Sequence, residues 1–375
     1  MPSRGMLVRL ATALQPVDEA LPHWNTGPMK WITVQINAAQ GPVRAVAPEI
    51  IAASRATDVP AFYARWFMNR LRAGYARWVN PFNGQPQYVA FDHLRVVVFW
   101  SKNPLPLLPL LPQVEARNLA WYLEFTLNDY EAEGWEPNLP PLARRIDTFR
   151  RFADVAGPER VVWRFDPLML AGDLASNPHA CEILLERMTR IGRALKGYTS
   201  KLVFSFADIA DYRKVAANLR RAGLGWRDFT QAEMHTIAAG VARLAEEMGV
   251  EPCTCGEKGD LSAFGISHNR CTDPELILSM TRRHPDILRL FGITAQQLGL
   301  PLAMPSGSGP ASMVQEYTRD PGQRTVCLCV PCKDVGQYDT CPHGCVYCYA
   351  NTSPAAAARN FTLHDPAGES IVAGP

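Results

Sequence analysis

The sequence predicts an α/β fold, a full or partial (β/α) barrel of the TIM-like kind. Three observations lead there. Seven strand-like runs follow from Glu49, most of them followed by a helical stretch, which is the alternation of a parallel sheet. Polar residues recur where those runs end, and in (β/α) barrels chemistry gathers at the C-terminal ends of the strands. The last run leads into TCPHGCVYCYA, Thr340–Ala350, where Cys341, Cys345 and Cys348 stand in a C-x-x-x-C-x-x-C spacing.

Residues 1–30 read as an N-terminal extension, expected to be disordered. MPSRGMLVRLATAL is basic and partly apolar, but Arg4 and Arg9 interrupt it and no small-residue cleavage site follows, so no signal peptide is expected. Met29 directly precedes the first convincing strand, which makes a start at Met29 a reasonable expectation. WITVQIN and PVRAVAP flank AAQG and predict an antiparallel hairpin over 31–48. The barrel is expected over 49–350. EIIAASRATD opens it, and PAFYARWFMNRLRAGY follows with Pro60 near a helix start. LRVVVFWSKNP, AWYLEFTLND, RVVWRFDPLML, KLVFSFADI and VEPCTCGE supply the next strands, and CLCVPCKDVGQY, 327–338, the last. Between them, PPLARRIDTFRRFADVAG and PHACEILLERMTRIGRALKGY read as amphipathic helices. TQAEMHTIAAGVARLAEEMG carries a capping box, Thr230 with Glu233, and ends at Gly249. Residues 301–325 read as a linker or surface loop from their Pro, Gly and Ser content, and 351–375 as a loosely packed tail.

At 375 residues the chain can bury a large core. An apolar share of 47% with 20% charged residues reads as globular, and a net charge of +2 makes no case for steering nucleic acid. No apolar run approaches the ~20 residues of a membrane helix. Ten cysteines in C-x-C, C-x-x-C and C-x-x-x-C spacings favour metal over disulfides and point to a reducing cytoplasm.

Three thiolates this close in sequence can hold three corners of one metal cluster. A cuboidal four-iron, four-sulfur cluster normally takes four cysteines, so a local triplet leaves one iron open to a small molecule. Pro342 and Gly344 suit a tight loop that aims backbone N–H groups at an anionic cluster. The plainer alternatives are a zinc knuckle or three thiols in a cysteine-rich tail. At the strand exits the plain alternatives are helix caps, turn aspartates and satisfied core arginines. His343 and His268 stand near cysteines, and Cys181, alone in a helix, reads as core.

The triplet, with Tyr347 just before its last cysteine, closely resembles the signature of the radical S-adenosylmethionine (SAM) enzymes. In that family the cluster loop follows the first strand, whereas here it follows the last. A radical-SAM-like barrel that is circularly permuted reconciles the two, because a closed or nearly closed barrel sets its first and last strands side by side. EIIAASRATD then acts as the second strand. The chain also resembles, over about residues 45–350, a bacterial and archaeal family built on a domain of unknown function. SRATDVPAFY, NPFN (80–83), FWSKNP, WRFDP and TCPHGCVYCYA carry that likeness. YCYA alone is similar to the spore photoproduct lyase style of cluster motif.

The radical SAM resemblance implies a 4Fe-4S cluster on Cys341, Cys345 and Cys348 and a 5′-deoxyadenosyl radical drawn from SAM. It also implies Tyr347 at the adenine and an electron donor of the ferredoxin or flavodoxin kind. Arg55 is the candidate for the SAM carboxylate, and Ser54, Thr57 or Asp58 for its amino group or ribose. Lys102, Arg164, Asp166 and Ser205 are candidates for SAM or substrate, with an internal Arg164–Asp166 ion pair as the structural alternative. Four of Cys253, Cys255, Cys271, Cys327, Cys329 and Cys332 can hold a second iron–sulfur cluster or a tetrahedral zinc. The family resemblance points to Cys255, Cys271, Cys327 and Cys329. Two other functions compete: a zinc-stabilised binding protein without redox chemistry, and a nucleic-acid repair or modification enzyme, suggested by arginine-rich helices such as RRIDTFRRF.

Overall fold

The computed structural model describes residues 31–282, 284–291, 293, 319–320 and 322–372. The extension 1–30 and most of the loop 301–325 lie outside the described residues. The strands in the first third are β1 (Thr33–Ala38), β2 (Gly41–Val46), β3 (Ile50–Ala53), β4 (Tyr75–Val79), β5 (Pro86–Ala90) and β6 (Val96–Ser101). They continue as β7 (Ala120–Thr126), β8 (Val161–Leu168), β9 (Leu170–Ala171), β10 (Lys201–Phe206), β11 (Trp226–Arg227), β12 (Glu251–Thr254), β13 (Ser267–His268) and β14 (Lys333–Asp334).

Eight of these form one sheet in the order β13-β12-β10-β8-β7-β6-β3-β14, parallel throughout. Strands covered on both faces read as continuous apolar runs, and IIAA of β3 is wholly buried. Side chains alternate between the two faces. Val97, Phe99, Leu123 and Trp163 lie in the larger core, together with residues of helices Ala64–Ala73, Leu142–Ala156, Ala180–Leu195 and Gln231–Met248. Ile50, Ala52, Val98 and Tyr122 point the other way, against Ile277 and Ile287 of the helices Pro274–Met280 and Pro285–Leu290. The helix at Gln231 begins with the expected reciprocal cap between Thr230 and Glu233.

The described strands make an open sheet, not a closed barrel. β13 and β14 are its two edges, and at two residues each they are too short to carry a closing ladder. The strand expected over 327–338 shrinks to β14 because the backbone before it is used elsewhere: Cys329 O accepts from Asp320 N, and Val330 N donates to Thr272 O. What remains pairs with β3 through Lys333↔Ile51 and Asp334↔Ala52. The last strand of the sheet thus lies beside the first in sequence.

Two further departures concern the ends of the chain. The pair β1–β2 is not an isolated hairpin: β5 and β4 extend it into a four-stranded sheet, β1-β2-β5-β4. Residues 351–372 are not a loose tail. Ser353 caps the helix Pro354–Thr362, accepting from Ala356 N, and the following segment straps down onto the small sheet. Trp66 Nε1 donates to Gly368 O at 3.0 Å and Arg70 Nη2 to Ala367 O at 3.0 Å. The Glu369 carboxylate accepts from Ala39 N (2.8 Å), Tyr75 Oη (2.5 Å) and Tyr88 Oη (3.2 Å), which joins the strap to the β1–β2 turn, the start of β4 and the middle of β5.

Burial opposes the Glu369 charge, but those three donors outweigh it and hold the carboxyl below the ordinary range. A depressed carboxylate contributes stability that is present above its unfolded pKa, about 4.3, and is lost as pH falls through the folded value. Glu369 is largely solvated, so Glu369→Gln is expected to lower urea stability at pH 7 by only about 0.5–1 kcal/mol. The gap between variant and wild type should close as the pH falls through the folded value; a gap constant with pH would contradict the assignment.

Candidate metal centre and the polar rim around it

Ser54 and Gly336 meet where β3 and β14 end. A Cβ on Gly336 would stand 1.8 Å from Ser54 Oγ, so only glycine lets the two exits lie this close. The chain then turns into the cysteine loop, which other elements hold by its backbone. Tyr63 Oη donates to Thr340 O (2.5 Å), Asn138 Nδ2 to Pro342 O (2.8 Å) and Asn351 Nδ2 to Cys341 O (2.7 Å). Asn218 Nδ2 donates to Cys348 O (2.8 Å), and Val346 N to Trp135 O (3.0 Å). Gly344 has φ +73°, and a Cβ there would stand 3.1 Å from Asn138 Nδ2.

The firmest tie is Asp58. Its carboxylate accepts from Ala61 N (3.0 Å), Ser101 Oγ (2.7 Å) and Lys102 N (2.8 Å), and binds His343 Nε2 (2.7 Å). Burial raises its pKa, but the His343 bond and charge outweigh that and keep it depressed. Asp58 therefore locks the cysteine loop to the exits of β3 and β6, leaving no lone pair spare for a ligand. His343, which the sequence places near the cysteines, is buried in this lock.

The three thiols, each half-buried, share one neighbourhood. Burial pushes Cys341 up to about 12, with the Asp58 and Cys348 charges adding. Burial also lifts Cys345 and Cys348, while the Lys102 ammonium pulls both back. Lys102 Nζ donates to Glu136 Oε1 (2.6 Å) and Tyr347 Oη (3.0 Å), and Tyr347 Oη in turn donates to Glu136. Thiols raised in this way hold the proton until a metal cation displaces it.

Among the described residues no three His, Cys, Asp or Glu side chains are preassembled around a metal ion. The donor set nevertheless fits a bound group. Eight buried side-chain polar atoms of the described residues lack a hydrogen-bond partner, whereas such atoms are nearly always paired. Four of them, Thr57 Oγ1, Glu136 Oε2, His343 Nδ1 and Asn351 Oδ1, belong to residues at or adjoining the cysteine loop.

The other candidates separate into two groups. Ser54 Oγ caps the turn, accepting from Ala56 N (2.8 Å). Arg55 faces Asp334 (3.7 Å), Asp320 (3.8 Å) and Cys332 Sγ (3.2 Å), so an incoming carboxylate must compete with two resident ones. Of the candidates for SAM or substrate, Lys102, Arg164, Asp166 and Ser205, Lys102 lies at the triplet. Arg164 instead donates to Glu124 Oε2 (2.8 Å), to Cys271 Sγ (3.0 Å) and to Asp166, which also accepts from Ser205 Oγ. The internal ion pair is present. Asn128 links the groups, donating to Tyr347 Oη (3.1 Å) and accepting from Asp166 N (2.9 Å).

The second group of cysteines comes together from three segments. Cys255 Sγ and Cys271 Sγ lie 3.5 Å apart, and Cys329 Sγ accepts from Cys271 N (3.1 Å) and Thr272 N (3.4 Å). Cys329 also contacts Cys327 and Cys271 thiol to thiol. Asn269, whose Oδ1 has no partner, donates to Cys271 Sγ at 3.3 Å. Cys332 turns away toward Arg55 and Thr272, and Cys253 binds Ser267 Oγ (3.2 Å).

Sequence reading missed Glu136 and Asn218. Glu136 sits in the irregular stretch 127–141, where no periodicity marks a buried acid, and Asn218 sits inside a helix among arginines. The one signal was Trp135 and Pro137 around Glu136, since a tryptophan in a loop asks for a packing partner. The stretch itself is pinned by Arg145, buried and bonded to Asn128 O (3.0 Å), and by Arg187, paired with Glu133 (2.7 Å).

Gly344→Ala is expected to cost about 1–2 kcal/mol, from the left-handed backbone and the Asn138 contact. It should also speed alkylation of Cys341 in the metal-free protein. Unchanged stability and labelling would show that the loop is not held as described.

No curated protein and no solved structure matches the chain. A family model described as a domain of unknown function, DUF1848, matches residues 50–350, from the first strand of the large sheet to the end of the cysteine loop. The chain belongs to the DUF1848 family.

Proposed function

We propose that this protein is a radical SAM-type iron–sulfur enzyme built on a circularly permuted (β/α) barrel-like sheet, acting in a reducing cytoplasm. The observation that carries the reading is the parallel pairing of β14 with β3, which sets the cysteine triplet beside the opening strand of the sheet. All ten cysteines are free, as a thiolate metal site requires. Cys341, Cys345 and Cys348 would hold the cluster, and SAM on its open iron would supply a 5′-deoxyadenosyl radical. Lys102, beside Cys345 and paired with Glu136, places a positive charge next to the anionic thiolates. Tyr347 fixes that pair through its hydroxyl while its ring packs edge-on against Tyr130.

The second cysteine set suits a single ion better than a second cubane. Zn–S bonds of about 2.3 Å in a tetrahedron separate the sulfurs by about 3.8 Å, close to the 3.5 Å between Cys255 and Cys271. A structural zinc on Cys255, Cys271, Cys327 and Cys329 is the favoured occupant. Nucleic-acid chemistry gains little support: in the helix Leu142–Ala156, Arg145 is buried and Arg150 is spent on Ala194 O (2.7 Å).

Anaerobic reconstitution should give a brown protein with about four irons at the triplet that forms 5′-deoxyadenosine from SAM on reduction. Cys345→Ala should abolish that product. A colourless protein holding zinc alone would overturn the reading. The variant lacking all three thiols, Cys341, Cys345 and Cys348, should still retain about one zinc per chain; a metal-free product would remove the second site.

A further inference from the structure

We infer that two copies of this chain join about a twofold axis by pairing the open edge of β1 with itself, antiparallel and centred on Gln35. Among the described residues β1 is the one long strand edge left open. The large sheet ends on β13 and β14, and the pair β9–β11 stands alone; each of these four strands is two residues long. The small sheet ends on β1 and β4, and the strap already takes β4, where Arg77 N donates to Glu369 O at 2.8 Å. β1 runs for six residues, TVQINA. Natural proteins blunt such edges with charge, proline, a bulge or brevity. β1 carries neither a charge nor a proline, and its ladder with β2 is unbroken from Thr33↔Val46 to Ala38↔Gly41.

The register with β2 decides which backbone groups face outward. Ala47 N donates to Ile32 O at 2.8 Å, continuing the ladder by one pair. Bonded and non-bonded pairs alternate along an antiparallel ladder. Val34, Ile36 and Ala38 therefore bond to β2, while the N–H and C=O of Thr33, Gln35 and Asn37 point away from it. A second β1 laid with Gln35 opposite Gln35 sets Thr33 opposite Asn37, so every outward position meets an outward position of the copy. The two faces of the strand match as well, because side chains alternate between them. On one face Val34 meets Ile36 of the second copy. That contact carries across the axis the apolar cluster of Ala45, Ala47, Tyr88 and Ala90, against which Val34 and Ile36 already pack. On the other face the exposed side chains are Thr33, Gln35 and Asn37, all uncharged. Charge is what selects a copy of the same strand as the partner. Twofold pairing sets the central side chain against its own kind, and like charges directly opposite are destabilising. An edge built to meet itself must be free of charge, and β1 is, in a chain of which 20% is charged.

Sedimentation velocity of the full chain over a range of concentrations tests this, with Gln35→Lys and Gln35→Glu as variants. Gln35 is exposed, so both variants should keep the wild-type urea midpoint. Each variant alone should dimerise about tenfold or more weakly than wild type. Mixed in equal amounts, the two should associate about as tightly as wild type, because lysine then faces glutamate across the axis. Amide hydrogen exchange should show the Gln35 N–H gaining protection as concentration rises and the Ile36 N–H protected throughout. A wild-type chain that stays monomeric would overturn the inference. So would a dimer whose affinity neither charge alters, since another surface then holds it. A chain that dimerises only once residues 1–28 are removed would also overturn it, and would give the edge to the chain's own first residues.

Discussion

Two residue pairs, Lys333↔Ile51 and Asp334↔Ala52, govern how the rest of this molecule is arranged. They are a short stretch of ladder, yet they join positions nearly three hundred apart in sequence. Backbone groups buried at a sheet edge must find partners, and β14 supplies them for β3. Asp334 then finishes the corner with its side chain, accepting from Arg55 N at 2.7 Å and from Gly336 N at 2.7 Å. With that corner closed, the cysteine loop can only emerge over Ser54 and Asp58.

The rim that results is dense in buried charge, and its charges are spent on each other. Asp58 with His343 and Arg164 with Glu124 are almost wholly out of water, while Lys102 beside Glu136 and Asp166 beside Arg164 keep a partly exposed edge. Buried pairs of this kind contribute little net stability but are costly to break singly. Their effect is to fix where each side chain points. Glu124 marks the balance: burial raises its pKa, and the Arg164 guanidinium pulls it back. The same carboxylate borders a small polar cavity that Lys201, Asn269 and Asp273 also line. The two cysteine groups thus share one continuous polar layer on the sheet, Lys102 at one end and Arg164 at the other.

How much of this could be read in advance depended on range. Strands buried on both faces declare themselves as runs such as RVVVFW and YLEFT, and capped helices declare their starts, as Thr230 does. The grouping of Cys255, Cys271, Cys327 and Cys329 followed from a family likeness, and the fold brings those four thiols into contact. The small sheet was harder to see. YARWV and PQYVA are short and lie beside turn residues, and only the Glu369 strap and the β2 edge make them strands. The end of the chain was misread for a related reason: small residues predict looseness until a distant carboxylate finds three donors. Arg55 shows the limit most clearly. Its neighbours Asp320 and Asp334 lie some 270 positions away, and no local pattern announces that they will neutralise it.

The position of the triplet has a consequence for how the protein is made. Chains fold as they leave the ribosome, N-terminal parts first, and Cys341 emerges only after every other strand-forming segment of the large sheet. β3 must therefore wait with one edge unpaired through nearly all of synthesis, and unpaired edges invite aggregation. It also means that the cysteine loop meets a finished scaffold. A chain interrupted between β13 and β14 has the polar rim without the loop that completes it.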